Sequence, residues 1–184
     1  MSKGLSLVAI GVASLLAVPA WSAEAPERGW SLEANVLEVQ SSEGKTPFTF
    51  DGEETGVALA GTYSFTKHLG IQTAYYDVGS HVATDCPAPV CTAVPHGALA
   101  DIRGVSVAAV GTWRVAPIVE VFGKVGVLAA NTEFRLTGFE ETDRGALVGA
   151  GVGIWATPRW RINVQVERAD FDLESAGVGM SYRF

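Results

Sequence analysis

Three histidines and two cysteines are the residues of this chain best suited to chemistry near neutral pH: His68, His81, His96, Cys86 and Cys91. The last four of these, in chain order His81, Cys86, Cys91 and His96, fall within SHVATDCPAPVCTAVPHGALAD (80–101) and recur every five residues. Two Cys and two His make a zinc donor set, but this spacing fits no standard zinc module. Covalent catalysis needs a nucleophile and a base within hydrogen-bond reach. Outside this stretch only His68 can serve as the base, and it sits in a short turn between two apolar runs. Carboxylates form the other reactive group, clustered at Asp51, Glu53 and Glu54, at Glu140, Glu141 and Asp143, and at Asp170, Asp172 and Glu174. Such clusters suit solvated loop tips, or hard cations such as calcium or magnesium. No catalytic residue, cofactor or resident metal is expected, and the chain does not read as an enzyme.

The elements that must position these groups are strands. About eight segments alternate with period two, the signature of a strand with two unlike faces. Trp30, Leu32, Ala34 and Val36 oppose Ser31, Glu33 and Asn35, and Trp160, Ile162, Val164 and Val166 oppose Arg161, Asn163, Gln165 and Glu167. The C-terminal GVGMSYRF (177–184) alternates to its last residue. Short connections near 66–68, 114–117 and 157–159 take turns with long ones near 40–54, 79–101, 131–144 and 170–174. Tight turns on one side and larger loops on the other are the pattern of an up-and-down barrel in an outer membrane.

Alternation alone does not separate such a barrel from a soluble, lipocalin-like one with its apolar face inward. The aromatics decide. Trp30, Phe65, Trp113, Trp155, Trp160, Tyr182 and Phe184 lie at strand ends next to the short turns or the termini. In a membrane barrel they form a girdle at one interface. The expected fold is therefore all-β, an eight-stranded antiparallel up-and-down transmembrane β-barrel.

The other parity then fills the lumen, which eight strands make just wide enough for side chains. Glu33, Glu120, Lys124, Arg161, Glu167 and Arg183 point inward in this scheme. Buried charges need partners, so a carboxylate–guanidinium network of Glu33 and Glu120 with Arg161 and Arg183 is expected. The glycines from Gly149 to Gly153 leave room for it. A structural plug is the plain interpretation, and a narrow ion or solute path the sharper one.

The N-terminus, MSKGLSLVAIGVASLLAVPAWSA, has a Lys, an apolar run and small residues, the layout of a secretory signal peptide. Residues 1–23 form this signal, with cleavage after residue 20, 22 or 23; residues 24–28 form a short segment, and 29–184 the barrel domain. In an exported protein a Cys86–Cys91 disulfide is the default, and free-thiol labelling would test it. Asp and Glu number 20 against 13 Lys and Arg, a net charge of −7 that argues against nucleic acid as a partner.

GKVGVLAA (123–130), GAGVGIWATPRWRINVQVERAD (149–170) and GVGMSYRF (177–184) give the chain a specific resemblance. It resembles the OmpA-like family of outer membrane barrels, which includes the small OmpX- and Ail-like proteins. The resemblance implies residence in the outer membrane of a Gram-negative bacterium, among lipid and lipopolysaccharide, with a structural or surface-interaction role. It also implies recognition by the barrel-assembly machinery through Gly179, Tyr182 and Phe184. An adhesin acting on an unknown surface ligand through its external loops is the neighbouring alternative. Some small outer membrane barrels are lipid A deacylases or acyltransferases, but no His here lies on a strand beside a lipid-facing Ser. The peptidoglycan-binding domain of larger family members has no counterpart in this sequence.

Overall fold

The computed structural model describes residues 28–41, 49–50, 53–85, 99–135, 139–170 and 173–184. Within them the period-two segments become strands: β1 (Gly29–Ser41), β2 (Thr49–Phe50), β3 (Glu53–Ser64), β4 (Leu69–Asp85), β5 (Leu99–Ala116), β6 (Val119–Phe134), β7 (Phe139–Trp155), β8 (Trp160–Ala169) and β9 (Leu173–Arg183). There is no helix among the described residues. Each barrel strand pairs antiparallel with its neighbours, and β1 closes the circle on β9 from Ser31↔Arg183 to Ser41↔Leu173. The result is a closed, eight-stranded, up-and-down β-barrel of β1 and β3–β9. The two-residue β2 lies outside the circle, pairing with β4 at Thr49↔Asp85 and Phe50↔Ala83.

Two of the short turns share one chemistry. Thr66 Oγ1 accepts from the backbone N–H of His68 at 3.1 Å and of Leu69 at 3.0 Å. Thr157 Oγ1 accepts from Arg159 at 3.3 Å and Trp160 at 3.0 Å. In each, the hydroxyl satisfies the donors that the tight turn leaves without a ladder partner. The third turn is only Pro117 and Ile118, because β5 runs on to Ala116 through a register irregularity after Arg114.

The long connections are shorter than the alternation implies. β6 stays paired with β5 to Ala100↔Phe134 and with β7 to Phe134↔Phe139, so most of the stretch expected as a loop over 131–144 continues the sheet. Likewise β4 continues to Asp85 and β5 begins at Leu99. Apolar alternation reports contact with an apolar phase, whereas ladder hydrogen bonds persist beyond it. β4 passes the end of the apolar zone through a bulge between Asp77 and Gly79, where Gly79 has φ +81°.

The outward rows are apolar and exposed, Val36, Leu59, Val107, Val125, Val164 and Val178 among them. At the long-loop end these rows stop on polar residues: Glu38, Thr55, Asp77, Arg103, Asn131, Arg144, Arg168 and Glu174. On β5 the apolar row runs from Val105 to Val115. At about 3.4 Å per residue and a tilt of about 40°, that span is about 26 Å tall, the height of a hydrocarbon band.

Candidate functional site: the barrel lumen

Inward residues divide the lumen into two storeys. The storey nearer the long loops is apolar. Leu37, Val39, Ile102, Leu128 and Leu147 meet there over small alanines, and Leu37 and Leu147 are only 1% and 2% exposed. The storey nearer the short turns is polar and charged, and it is positioned chiefly by β1, β6 and β8.

Arg161 on β8 is its centre. Nη2 donates to Glu33 Oε2 at 2.9 Å, Nη1 to Glu120 Oε1 at 2.5 Å, and Nε to Ser181 Oγ at 3.1 Å. Glu33 Oε1 also accepts from Asn35 at 2.9 Å and Asn163 at 3.2 Å, so each of its oxygens has a donor. Above lies a second pair, Lys124 with Glu167, both almost fully buried. Tyr76 Oη donates to Glu167 at 2.9 Å, and Lys124 Nζ to Gln72 Oε1 at 3.3 Å. Buried charges persist only when paired and hydrogen-bonded in this way.

Long side chains fit because β7 and β9 present almost none. Gly149, Gly151 and Gly153 lie beside Lys124, Phe122 and Arg161; a Cβ on Gly153 would come within 2.6 Å of Arg161 Cδ. Gly179 lies between Asn35 and Asn163 in the ladder, and a Cβ there would sit 2.6 Å from the Ala34 carbonyl. Alternating large and small residues is how a narrow barrel fills its interior.

Of the six charges expected in the lumen, Glu33, Glu120 and Arg161 form one cluster, and Lys124 and Glu167 another. Arg183 joins neither: it makes no ion pair among the described residues. As the last residue of β9 it lies at the rim, with its guanidinium 4.3 Å from the Trp155 ring centroid. Asn35, Asn163, Gln72, Tyr76 and Ser181 join the network from inward positions that parity marks but charge does not.

Trp155 requires a correction. Expected in the outward girdle, it points inward and is only 8% exposed, with Arg161 and Arg183 against its ring. Its parity is that of Gly149, Gly151 and Gly153. Nearness to a turn fixes its height, whereas parity fixes its side. Trp30, Phe65, Trp113, Trp160 and Phe184 are exposed on the outer wall near the short turns, and Tyr182 lies among them. Tyr63, absent from the expected set, packs 5.0 Å from Trp30 and 5.2 Å from Phe65.

Cys86, Cys91 and His96 lie outside the described residues, as do Asp51 and Asp172. Among the described residues no group of three or more His, Cys, Asp or Glu could hold a metal ion. His68 Nδ1 donates to the Thr112 carbonyl at 3.0 Å and its ring stacks on Trp113, so its surroundings anchor a turn. Beyond the apolar band, Arg135 donates to Asp101 at 2.7 and 2.8 Å, and Ser80 adds a bond at 2.6 Å. These donors, Arg135 foremost, hold the Asp101 carboxyl down at about 2.

No curated protein matches the sequence. Among solved structures, OprG of Pseudomonas aeruginosa is similar with a TM-score of 0.63 and 13% identity, over 87% of this chain and 98% of that one. Neisserial surface protein A gives 0.59 and 13%, over 88% and 100%. Ail, the attachment invasion locus protein of Yersinia pestis, gives 0.52 and 20%, over 88% and 100%. At these identities the likeness is one of fold. The model of the outer membrane protein β-barrel domain matches residues 8–184, and this chain belongs to that family.

Proposed function

We propose that this protein is a closed, non-conducting barrel of a Gram-negative outer membrane, with a structural or surface-interaction role exercised through its long-loop end. Residues 1–23 serve as a cleaved export signal, the short turns face the periplasm, and Tyr182 and Phe184 serve the assembly machinery. The observation that carries this reading is the two-storey lumen. A conduit would have to pass the layer where Leu37, Val39 and Leu147 pack, which among the described residues is mainly apolar and poorly suited to replace an ion's water. The continuous apolar outer wall supports hydrocarbon contact, since water-soluble monomers rarely expose apolar patches above a few hundred Å².

With the lumen sealed, the surface left for recognition is the loop end. One Ail structure holds the heparin analogue sucrose octasulfate. Polyanions are disfavoured here, because Glu133, Glu140 and Asp143 share the β6–β7 pair. Planar-bilayer recording tests the seal: silence after verified insertion is expected, and steady unitary currents would overturn it. Deletion of residues 86–98 tests the loops, because a loop-borne ligand should be lost while heat-modifiable gel mobility, the mark of a folded barrel, persists.

A further inference from the structure

A cavity of about 380 Å³ occupies the polar storey and reaches the short turns. That is room for roughly a dozen waters at about 30 Å³ each. Five cationic side chains line it, Lys67, Arg114, Lys124, Arg161 and Arg183, against the carboxylates of Glu33 and Glu120. This excess of positive charge stands inside a chain whose net charge is −7. Three of the cations have partners: Lys124 is held by Glu167, Arg161 by Glu33 and Glu120, and Arg114 by a further contact. The others gather toward the mouth. Among the described residues, Arg183 and Lys67 make no ion pair.

A second observation points the same way. The indole Nε1 of Trp155, a residue that lines this cavity, is buried with no hydrogen-bond acceptor among the described residues. A buried donor left without an acceptor is unfavourable, and the Arg183 guanidinium lies 4.3 Å from the same ring. Donors and positive charge are in surplus here, and what the site lacks is an acceptor that carries negative charge.

We propose that this vestibule binds a small oxyanion, phosphate or a phosphate monoester, between Arg183, Lys67 and the Trp155 indole N–H. Arg114 adds to the attracting field, and the hydroxyls of Ser31, Ser64 and Thr66 line the same wall. The phosphate group belongs either to a soluble molecule or to the headgroup of an anionic phospholipid at the barrel's rim. Charge-assisted, multidentate contact is how guanidinium groups hold such oxygens.

The test uses the folded, ¹⁵N-labelled protein in nanodiscs of phosphatidylcholine. The Trp155 indole resonance, assigned with W155F, is followed as inorganic phosphate is added at constant ionic strength. The expected result is a saturable shift that sodium chloride does not reproduce and that R183Q weakens about tenfold. Should R183Q fail to fold, K67Q in the exposed turn gives the same measurement, with a loss of about threefold. Nanodiscs containing phosphatidylglycerol separate the sources. A resonance already at its saturated position before phosphate is added assigns the site to the lipid headgroup. One that moves only on adding phosphate assigns it to a soluble anion. The proposal is overturned if neither phosphate nor anionic lipid moves the resonance, if chloride moves it equally, or if the folded variants bind as tightly as the native protein.

Discussion

Replacing Arg161 by Met should be among the most damaging single changes in the lumen. The side chain is 12% exposed and its two carboxylate partners 4% and 7%, so water can replace little of what is lost. Removing one partner of a buried ion pair typically costs about 3–5 kcal/mol, because the remaining charge is stranded. The two carboxylates suffer unequally. Glu33 keeps Asn35 and Asn163 as donors, whereas Glu120 loses its 2.5 Å bond. The loss should therefore fall within about 3–5 kcal/mol rather than twice that, against total stabilities of about 5–15 kcal/mol. The triple variant E33Q/E120Q/R161M removes the charges together and should recover to within about 1–2 kcal/mol of the native protein. Urea unfolding in lipid vesicles, read by heat-modifiable gel mobility, measures both. A single variant within about 1 kcal/mol of native would show that vestibule water already solvates the carboxylates. The account of the lower storey as a network held by its ion pairs would then fail.

Val164, in the middle of the outer apolar row of β8, should lose about 2–4 kcal/mol when changed to Arg if hydrocarbon covers it; vesicle unfolding with no loss would show that water does. Gly79, at φ +81° with nothing nearer than 3.9 Å to an added Cβ, should lose about 1–2 kcal/mol as Ala from conformation alone. The lowered pKa of Asp101 means its stabilising contribution is complete above the ordinary 3.8 and disappears as pH falls through about 2. Carboxyl NMR should find it titrating near there, and R135Q should return it toward 3.8.

Much of this was legible because a strand's two faces follow from counting. Parity assigned Val164 outward and Glu33 inward before any coordinate, and a short turn flanked by apolar runs marked a hairpin. What stayed hidden follows from contacts across strands. Charge and parity point to Glu33 and Glu120 meeting Arg161, but the cluster of Lys124, Glu167, Tyr76 and Gln72 arises through the ladder, and sequence distances carry no trace of it. Trp155 was misplaced because its height was read without its parity. The continuation of β6 and β7 beyond Asn131 was hidden for the opposite reason: strands that pair in water beyond the apolar band need no apolar face. The upper storey went unseen because Leu37, Leu128 and Leu147 read as ordinary apolar residues until closure brings them together.

A buried ion cluster is weak evidence for stability, since apolar residues of similar volume often serve as well or better. The upper storey, made of such residues, already packs the barrel, so the polar storey needs another explanation. Its strand origins supply one. Glu33 and Asn35 come from β1, Arg161 and Asn163 from β8, and between those strands runs β9, which at their height offers the lumen only Gly179 and Ser181. Because β9 is small on its inner face, side chains of β1 and β8 meet across it: Asn163 Nδ2 donates to Asn35 Oδ1 at 3.1 Å, beside the Arg161–Glu33 pair. Closure of the barrel joins its first and last strands, a step at which ladder hydrogen bonds alone discriminate poorly between registers. A slip of one residue would turn Glu33 into hydrocarbon and leave Arg161 with one carboxylate. A slip of two would restore the parity but move Glu33 two places along the strand, away from Arg161. The polar storey therefore specifies which closed barrel forms, and the apolar storey makes that barrel tight.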